Sequence, residues 1–401
     1  TSTIEIMVPA DRKVSTADLV VQVSPTMMGA ILDSLPYLIE YPYGCVEQTM
    51  SRFMPAVSVA QTLKQSGVSL EEIGKRRRLA YADLPPAKDP VFHTAALEHI
   101  VEQGLQRLYS FQNGAGGWGW WQSDTIDPFI TAYVVNGLRI AKAAGAPVDE
   151  GRFQNAVNAL KRNIEKEEDL HRAAYCAYVL AECKALDKKP ADHLYERRGD
   201  MNSYGRALLA MAMHLSGQKD KAEVCIRNME DFVKVDEKNG LAWWDREDRW
   251  AWWYWYGDDV EANSAILRAY IMVDGKNPNV ERVAKWLLMN RDGVRWKSTR
   301  DTAHAVLALC EYAKASGELS PEYTADIELD GKLLKSFGVT GENVFTLHGE
   351  TGLKGDAIET GKHTITVKKS GKGTAYWCVY LKYFTTEEDL KAGSSKMDVA
   401  R

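Results

Sequence analysis

The spacing of apolar residues along this chain changes twice. Near the start, "TIEIMV" and "DLVVQV" are short β-rich runs on either side of a bend containing Pro, Asp and Arg, a pattern that predicts strands. After about Ser320 the same habit returns. "YTADIELDGKLLKSFGV" carries Asp330-Gly331 as a hairpin turn signal, and "KHTITVKKSGKGTAYWCVYLKYF" reads as two more runs around a Gly-rich turn. Between these flanks, apolar positions fall at steps of three and four, from "DPVFHTAALEHIVEQGLQRLYSF" through "DPFITAYVVNGLRIAKAAG" and "SYGRALLAMAMHLSGQ" to "STRDTAHAVLALCEYAKASG". Several of these segments open on Asp or Ser and stop near Gly, so about a dozen helices with short connections are expected. Ala- and Leu-rich helix pairs recur without a strict sequence repeat. A row of such pairs must bury its apolar face on the next pair, and closing the row removes its exposed ends, which predicts an α/α toroid. The expected organisation is a β domain beginning in 1–24, a helical domain over 25–319 inserted into it, the rest of the β domain over 320–385, and over 386–401 a linker or the start of a further domain.

Composition narrows the function. With 401 residues and 45% hydrophobic content the chain can bury a sizeable core. A net charge of −5, with acidic and basic residues interspersed and no basic stripe, argues against nucleic acid as a partner. No apolar run approaches the roughly 20 residues that span a bilayer. The opening "TSTIEIMVPADRKV" has neither an initiator Met nor a signal-peptide pattern, and reads as part of something longer.

Six cysteines, Cys45, Cys176, Cys183, Cys225, Cys310 and Cys378, are too dispersed for a disulfide scaffold and lack the paired spacing of zinc sites, so neither metal nor cofactor is called for. Cys176 and Cys183, seven apart on one helix, lie about 10 Å apart and cannot bridge. All except Cys45 are expected to be small buried hydrophobes. Cys45 differs. In "YPYGCVEQTMSRFMPAVSVAQTL", Pro42 and Gly44 mark a turn and helical spacing follows, with a kink expected at Pro55. Cys45 therefore falls at a helix N-terminus, where the macrodipole favours a thiolate, and Gln48 lies over the same face one turn on. That geometry lets the sulfur reach the side-chain amide carbon and, with loss of ammonia, form an internal thioester. On the C-x-E-Q pattern alone, a buried Cys beside a helix-surface Gln is the favoured reading.

The longer string "YPYGCVEQTMSRFMPA" resembles the thioester region of bacterial α2-macroglobulins, and "GCVEQ" is similar to the core shared with vertebrate α2-macroglobulin and the thioester-containing complement proteins. "SFQNGAGGWGWW", "FITAYVVNGL", "DDVEANSAILRA" and "RWKSTRDTAHAVLAL" resemble later segments of the same domain; in the last, Arg300 stands where the family usually has Gln. The resemblance implies an α/α toroid of about six helical hairpins inserted into a small CUB-like β-sandwich formed by the two flanks. It implies a thioester between Cys45 and Gln48, shielding of that bond by Tyr41, and covalent trapping of target proteases through their lysine amines, without turnover and so not as an enzyme. Complement proteins that favour hydroxyl targets carry a relay histidine. The corresponding region here, "LKRNIEKEED", has none, and His171 at the next helix start is the nearest candidate. A periplasmic or cell-surface setting, the other domains of a full-length macroglobulin as partners, and a possible membrane anchor on that longer protein are implied in the same way.

Two aromatic clusters have their own readings. Trp118, Trp120 and Trp121, and Trp243, Trp244, Trp250, Trp252, Trp253, Trp255 and Tyr256, suit either a platform for sugars or a partner, or packing of loops at one end of the ring. "QNGAGGW" also satisfies a Q-x-x-x-G-x-W pattern like that of triterpene cyclases, with Asp258-Asp259 as an acid pair, but no D-x-D-D string accompanies it. An α/α-barrel enzyme, terpene cyclase-like or carbohydrate-active, and a binding module without a thioester are the competing readings.

Overall fold

In the computed structural model, residues 1–40, 44–65, 71, 73–75, 94–245, 259–292, 295–344, 347 and 349–385 are described. Their helices are Met28–Glu40 (α1), Val46–Gln65 (α2), Thr94–Phe111 (α3), Pro128–Ala143 (α4), Glu150–Ile164 (α5), Leu170–Glu182 (α6), Lys188–Glu196 (α7), Ser203–Leu215 (α8), Lys219–Glu230 (α9), Asp259–Val273 (α10), Asn279–Met289 (α11) and Thr299–Ser316 (α12). The strands are Ser2–Val8 (β1), Asp18–Ser24 (β2), Lys234–Asp236 (β3), Leu241–Trp243 (β4), Glu322–Leu329 (β5), Lys332–Thr340 (β6), Gly349–Lys354 (β7), Gly361–Lys372 (β8) and Tyr376–Lys382 (β9). The chain forms two compact units, Met27–Gly317 and the two flanks Thr1–Thr26 with Glu318–Arg401.

The first unit is a closed ring. Helix α2 packs on α4, α4 on α6, α6 on α8, α8 on α10, α10 on α12, and α12 returns to α2, while α1, α3, α5, α7, α9 and α11 lie between successive members on the outside. The sequence explains who goes where. Within α4, every residue from Phe129 to Leu138 is buried, and α8 is buried from Ser203 to Met213. Helices apolar on all sides belong inside, and their alanines let neighbours approach closely. By contrast α5 buries only Phe153, Ala156, Val157, Ala159, Leu160 and Ile164, a single stripe, and stays on the rim. The sharp starts come from side-chain caps: Asp127, Asp169, Asn202 and Ser298 each accept a backbone N–H one turn into α4, α6, α8 and α12. The inner helices run in parallel, because first-turn residues meet first-turn residues: Arg172 with Asp127, Tyr204 with Glu261, Arg300 with Glu261, and Thr299 with Glu47. One end of the ring therefore gathers the positive ends of the inner helix dipoles.

A tryptophan locks three of the outer-to-inner turns in one way. The indole N–H groups of Trp118, Trp244 and Trp296 donate to Leu108 O, Met229 O and Leu287 O at the ends of α3, α9 and α11, each at 2.7 Å. Their backbone N–H groups donate to Thr131, Asn263 and Thr302 in the next inner helix, at 3.0, 2.9 and 3.1 Å. These tryptophans are essentially fully buried, so they pack the ring end and offer no platform. Gln112 of the Q-x-x-x-G-x-W pattern bonds to Gly116 O and Arg152 O, a helix-pair lock of the same kind. Replacing Trp244 by Ala is expected to cost about 3–5 kcal/mol, from a large cavity and an orphaned carbonyl; urea unfolding monitored by circular dichroism measures it.

Helix α2 continues through Pro55 without ending there. The β3–β4 hairpin was not foreseen; it turns over the four residues 237–240, the last of which, Gly240, has φ 64°. Cys176, Cys225 and Cys310 are buried as expected, whereas Cys183 and Cys378 are partly exposed, the first because it caps the end of α6, the second because it lies on a strand of half-covered residues.

In the flanking unit, β1-β8-β5-β6 form one antiparallel sheet and β7-β2-β9 another. Leu19, Val21 and Val23 of β2 meet Ala325 and Ile327 of β5, Phe337 and Val339 of β6, and Ile365 and Val367 of β8 in one core, so the two sheets form a sandwich. Asp330 and Gly331, at φ 50° and 80°, make the two-residue β5–β6 turn that their sequence announced. The Gly-rich stretch after β8 behaves differently. It closes no hairpin and passes the chain from one sheet to the other, since β8 pairs with β1 and β5 whereas β9 pairs with β2.

His363 of β8 places Nδ1 2.7 Å from Asp330 Oδ2 and Nε2 2.9 Å from Glu359 O. Both nitrogens face acceptors, which only the imidazolium satisfies fully. The Asp330 hydrogen bond raises the pKa of His363 and its counterpart lowers that of Asp330. The histidine's contribution to stability is complete below its unfolded pKa of about 6.5 and is lost as pH rises through the raised folded value. The aspartate's is complete above about 3.9 and is lost as pH falls through its lowered value. Urea midpoints are therefore expected to be highest between about pH 4 and 6.5, and Asp330→Asn should flatten the alkaline side of that profile.

Candidate thioester site

Cys45 sits at the N-cap of α2, directly after Gly44. The Gln48 side chain folds back over the helix end and its Oε1 accepts the Cys45 backbone N–H at 3.1 Å. This is a capping box with Cys in place of Ser or Thr, and it explains the three-residue spacing without appeal to chemistry. The neighbourhood fixes the turn from three sides. Arg107 of α3 donates to Gly44 O at 3.0 Å, the Val46 N–H donates to Trp120 O at 3.0 Å, and the Thr49 hydroxyl donates to Cys45 O at 3.0 Å. A Cβ on Gly44 would lie 2.0 Å from Gln48 Oε1, so only glycine leaves room for the folded-back amide. Gly44→Ala is expected to push Gln48 off the cap with little loss of global stability; a marked drop in methylamine uptake at Gln48, measured by peptide mapping, is the outcome to look for.

The thiol's electrostatics differ from the expected thiolate. Burial pushes the pKa of Cys45 up and the charge of Glu47 adds to the rise, while backbone N–H groups of Gln48 and Glu47 pull the other way. Cys45 is only 7% exposed, and desolvation outweighs the helix dipole. A protonated thiol is the weaker nucleophile, so this burial does nothing to speed acylation of the sulfur; what the buried cap offers is exclusion of water from an acyl bond once it is made.

Beneath this cap lies a buried polar set that sequence reasoning missed. Glu47 accepts from Ser51 at 2.5 Å and from Thr299 of α12 at 3.2 Å, and the Ser51 hydroxyl meets Tyr133 of α4 at 2.8 Å. Glu261 of α10, fully buried, accepts from Tyr204 of α8 at 2.9 Å and has Arg300 Nε 2.9 Å from its Oε2, an ion-pair contact without hydrogen-bond alignment. Burial works against the Arg300 cation, but the nearby Glu261, Tyr204, Asp301 and Glu47 together outweigh it, so the guanidinium stays charged. His304, stacked on Tyr133 at 5.7 Å, is pushed down to about 3 by burial and the nearby arginines and is neutral. In the sequence Glu261 stood as one more acidic residue at the start of "DDVEANSAILRA", with nothing local to mark it as buried.

The other candidates separate from this cap. His171 belongs to α6, which packs on α4 and α8, whereas α2 is flanked by α4 and α12. Its Nε2 accepts the Asn202 backbone N–H at 3.1 Å, and its Nδ1 lies 3.5 Å from Asp169, so the ring pins two helix starts together. Tyr41, Trp250, Trp252, Trp253, Trp255, Tyr256 and Asp258 lie outside the described residues; Asp259 is the exposed first residue of α10. Trp121 is exposed, in the loop whose Trp120 carbonyl receives the Val46 N–H.

Residues 17–167 and 184–312 match the model of the A-macroglobulin TED domain, which covers most of the ring. The chain belongs to the A-macroglobulin TED-domain family. Among curated proteins, this TED-family chain is 31% identical over 285 residues to an α2-macroglobulin of Thermotoga maritima, a match covering 70% of this chain and 14% of that protein. It is 20% identical over 351 residues to thioester-containing protein 1, allele R1, of Anopheles gambiae, covering 80% of this chain and 24% of that one. The chain thus spans a small part of the relatives it matches. Among solved structures, the native conformation of Escherichia coli α2-macroglobulin aligns with a TM-score of 0.60 at 18% identity, over 98% of this chain and 23% of that chain. A Salmonella α2-macroglobulin reacted with methylamine aligns at 0.58 and 18% identity, over 93% of this chain and 24% of that one. At these identities the structural likeness speaks for the TED fold: a helical ring with small antiparallel sheets from the flanks.

Proposed function

We propose that Cys45 and Gln48 form an internal thioester and that this chain is the protease-trapping region of a longer bacterial α2-macroglobulin-like protein. The observation that carries the reading is the Gln48 side chain folded back on the Cys45 turn, with glycine required beside it. Bond formation joins Cys45 Sγ to Gln48 Cδ and releases ammonia. A lysine amine of the target then attacks that carbon, forming an amide as the carbon–sulfur bond breaks and the electron pair stays on sulfur. Each molecule acts once, so the chain is a trap and not an enzyme. With His171 occupied between two helix starts, no histidine relay is invoked and amines are the direct nucleophiles. Tyr41 shields the bond from water, the flanking sandwich is of the CUB-like type, and the longer protein works in the periplasm or at the cell surface. Among the described residues no helix is long and apolar enough to cross a membrane.

The test uses the parent protein and trypsin. A conjugate that survives denaturation and reduction, with a Gln48–lysine crosslink in its peptide map, is the expected result. Conjugation without that crosslink would remove Gln48 from the mechanism, and no conjugate at all, with a free Cys45 from the outset, would favour a binding module without a thioester.

A further inference from the structure

We infer that Glu47 is an electrostatic brake on the thioester: its carboxylate, buried in the same helical turn as the Cys45 sulfur, opposes the negative charge that develops on sulfur as the acyl bond breaks. This inference rests on the thioester reading above. Glu47 is 7% exposed, as Cys45 is, and hydrogen bonds from Ser51 and Thr299 keep its carboxylate from swinging out to water. The groups facing it from neighbouring helices are Tyr133 of α4, Glu261 of α10, and Thr299 and Arg300 of α12, with neutral His304 stacked behind Tyr133. Arg300 makes its close contact with Glu261, so one guanidinium serves two buried carboxylates. In a water-poor site a charge two residues along the same turn is screened less than it would be in bulk water. Burial raises the pKa of Glu47 as well, so the brake weakens as pH falls through that raised value.

When an amine attacks the Gln48 carbonyl carbon, a C–N bond forms, the C–S bond breaks, the electron pair remains on Cys45 Sγ, and the surplus amine proton passes to water or to sulfur. A thiolate leaves faster when its thiol pKa is lower. An ionised Glu47 therefore slows discharge by any nucleophile, water included, and helps to keep an unused trap loaded. Glu47 does not contact the acyl carbon; it is a positioning residue acting through the sulfur.

Glu47→Gln keeps the shape and an acceptor for both hydroxyls, and Glu47→Asp keeps the charge. For each, thiol release in methylamine is timed, and the freed Cys45 is alkylated with iodoacetamide across pH, both read on the Cys45 peptide. Glu47→Gln should release the thiol several-fold faster and titrate at lower pH, and Glu47→Asp should stay near wild type. A purely structural role would lower the melting temperature of both variants and leave the thiol profile unmoved. Release from Glu47→Gln that is no faster, with the ammonia deficit present in wild type, overturns this inference alone. Absence of that deficit in wild type overturns the thioester reading and this inference together. If Glu47→Gln does not fold, wild type decides: its thiol release, corrected for the fraction of unprotonated methylamine, should quicken several-fold as pH falls through the raised titration of Glu47, and a corrected rate that does not quicken contradicts the brake.

Discussion

Cys45→Ser is expected to reduce methylamine incorporation at Gln48 to background while leaving the ring folded. The serine hydroxyl is a good N-cap, so the capping box with Gln48 survives and stability should change by no more than about 0.5–1 kcal/mol. Primary amides do not exchange with methylamine under mild conditions, and only acylation of a thiol makes the Gln48 carbon reactive. Uptake that persists in Cys45→Ser would mean that the site's chemistry does not pass through sulfur. The variant separates cleanly what the structure combines in one turn, a helix cap and a candidate leaving group. The readouts are isotope-labelled methylamine in the Gln48 peptide and the urea midpoint of the same preparation.

The second large effect concerns the buried polar set. Glu261→Ala is expected to destabilise the helical unit by about 3–5 kcal/mol, because it removes the carboxylate in closest contact with the Arg300 guanidinium and the acceptor of the Tyr204 hydroxyl in a site closed to water. Adding Arg300→Leu to that variant should recover part of the loss, since it removes the buried cation whose carboxylate partner is gone, although the space left by Glu261→Ala stays unfilled. Urea unfolding of the single and double variants gives the comparison, and a double variant no better than Glu261→Ala would place the cost in packing and not in stranded charge.

The ring was legible because its inner helices are apolar on every side and its outer ones are not, so helix count and alternation could be read from spacing alone. Closure was legible only as an economical solution; the return of α12 to α2 depends on geometry accumulated over six hairpins. The tryptophan locks were visible as residues but not as a repeat, since the pieces that make them equivalent, an end carbonyl and a hydroxyl or amide in the next helix, come from Leu108 and Thr131 in one case and Met229 and Asn263 in another. Asn239-Gly240 was a hairpin signal overlooked among tryptophans because its strands are only three residues long. At the site, spacing placed Gln48 against Cys45 correctly, for the same reason that S-x-x-E marks a capping box. It misjudged the charge state, because the dipole of one helix is read from sequence while burial by α3 and the Trp120 loop is not. Glu47 escaped notice because its partners, Ser51, Thr299 and Tyr133, lie on three helices.

The most direct measurement is the intact mass of freshly purified protein, before and after methylamine, with the peptide containing Cys45 and Gln48 mapped in each. The account predicts a starting mass short by one ammonia and, after treatment, a methylamide at Gln48 with a newly titratable thiol at Cys45. A starting mass equal to that of the unmodified sequence, with Cys45 free and Gln48 an intact amide, would contradict it.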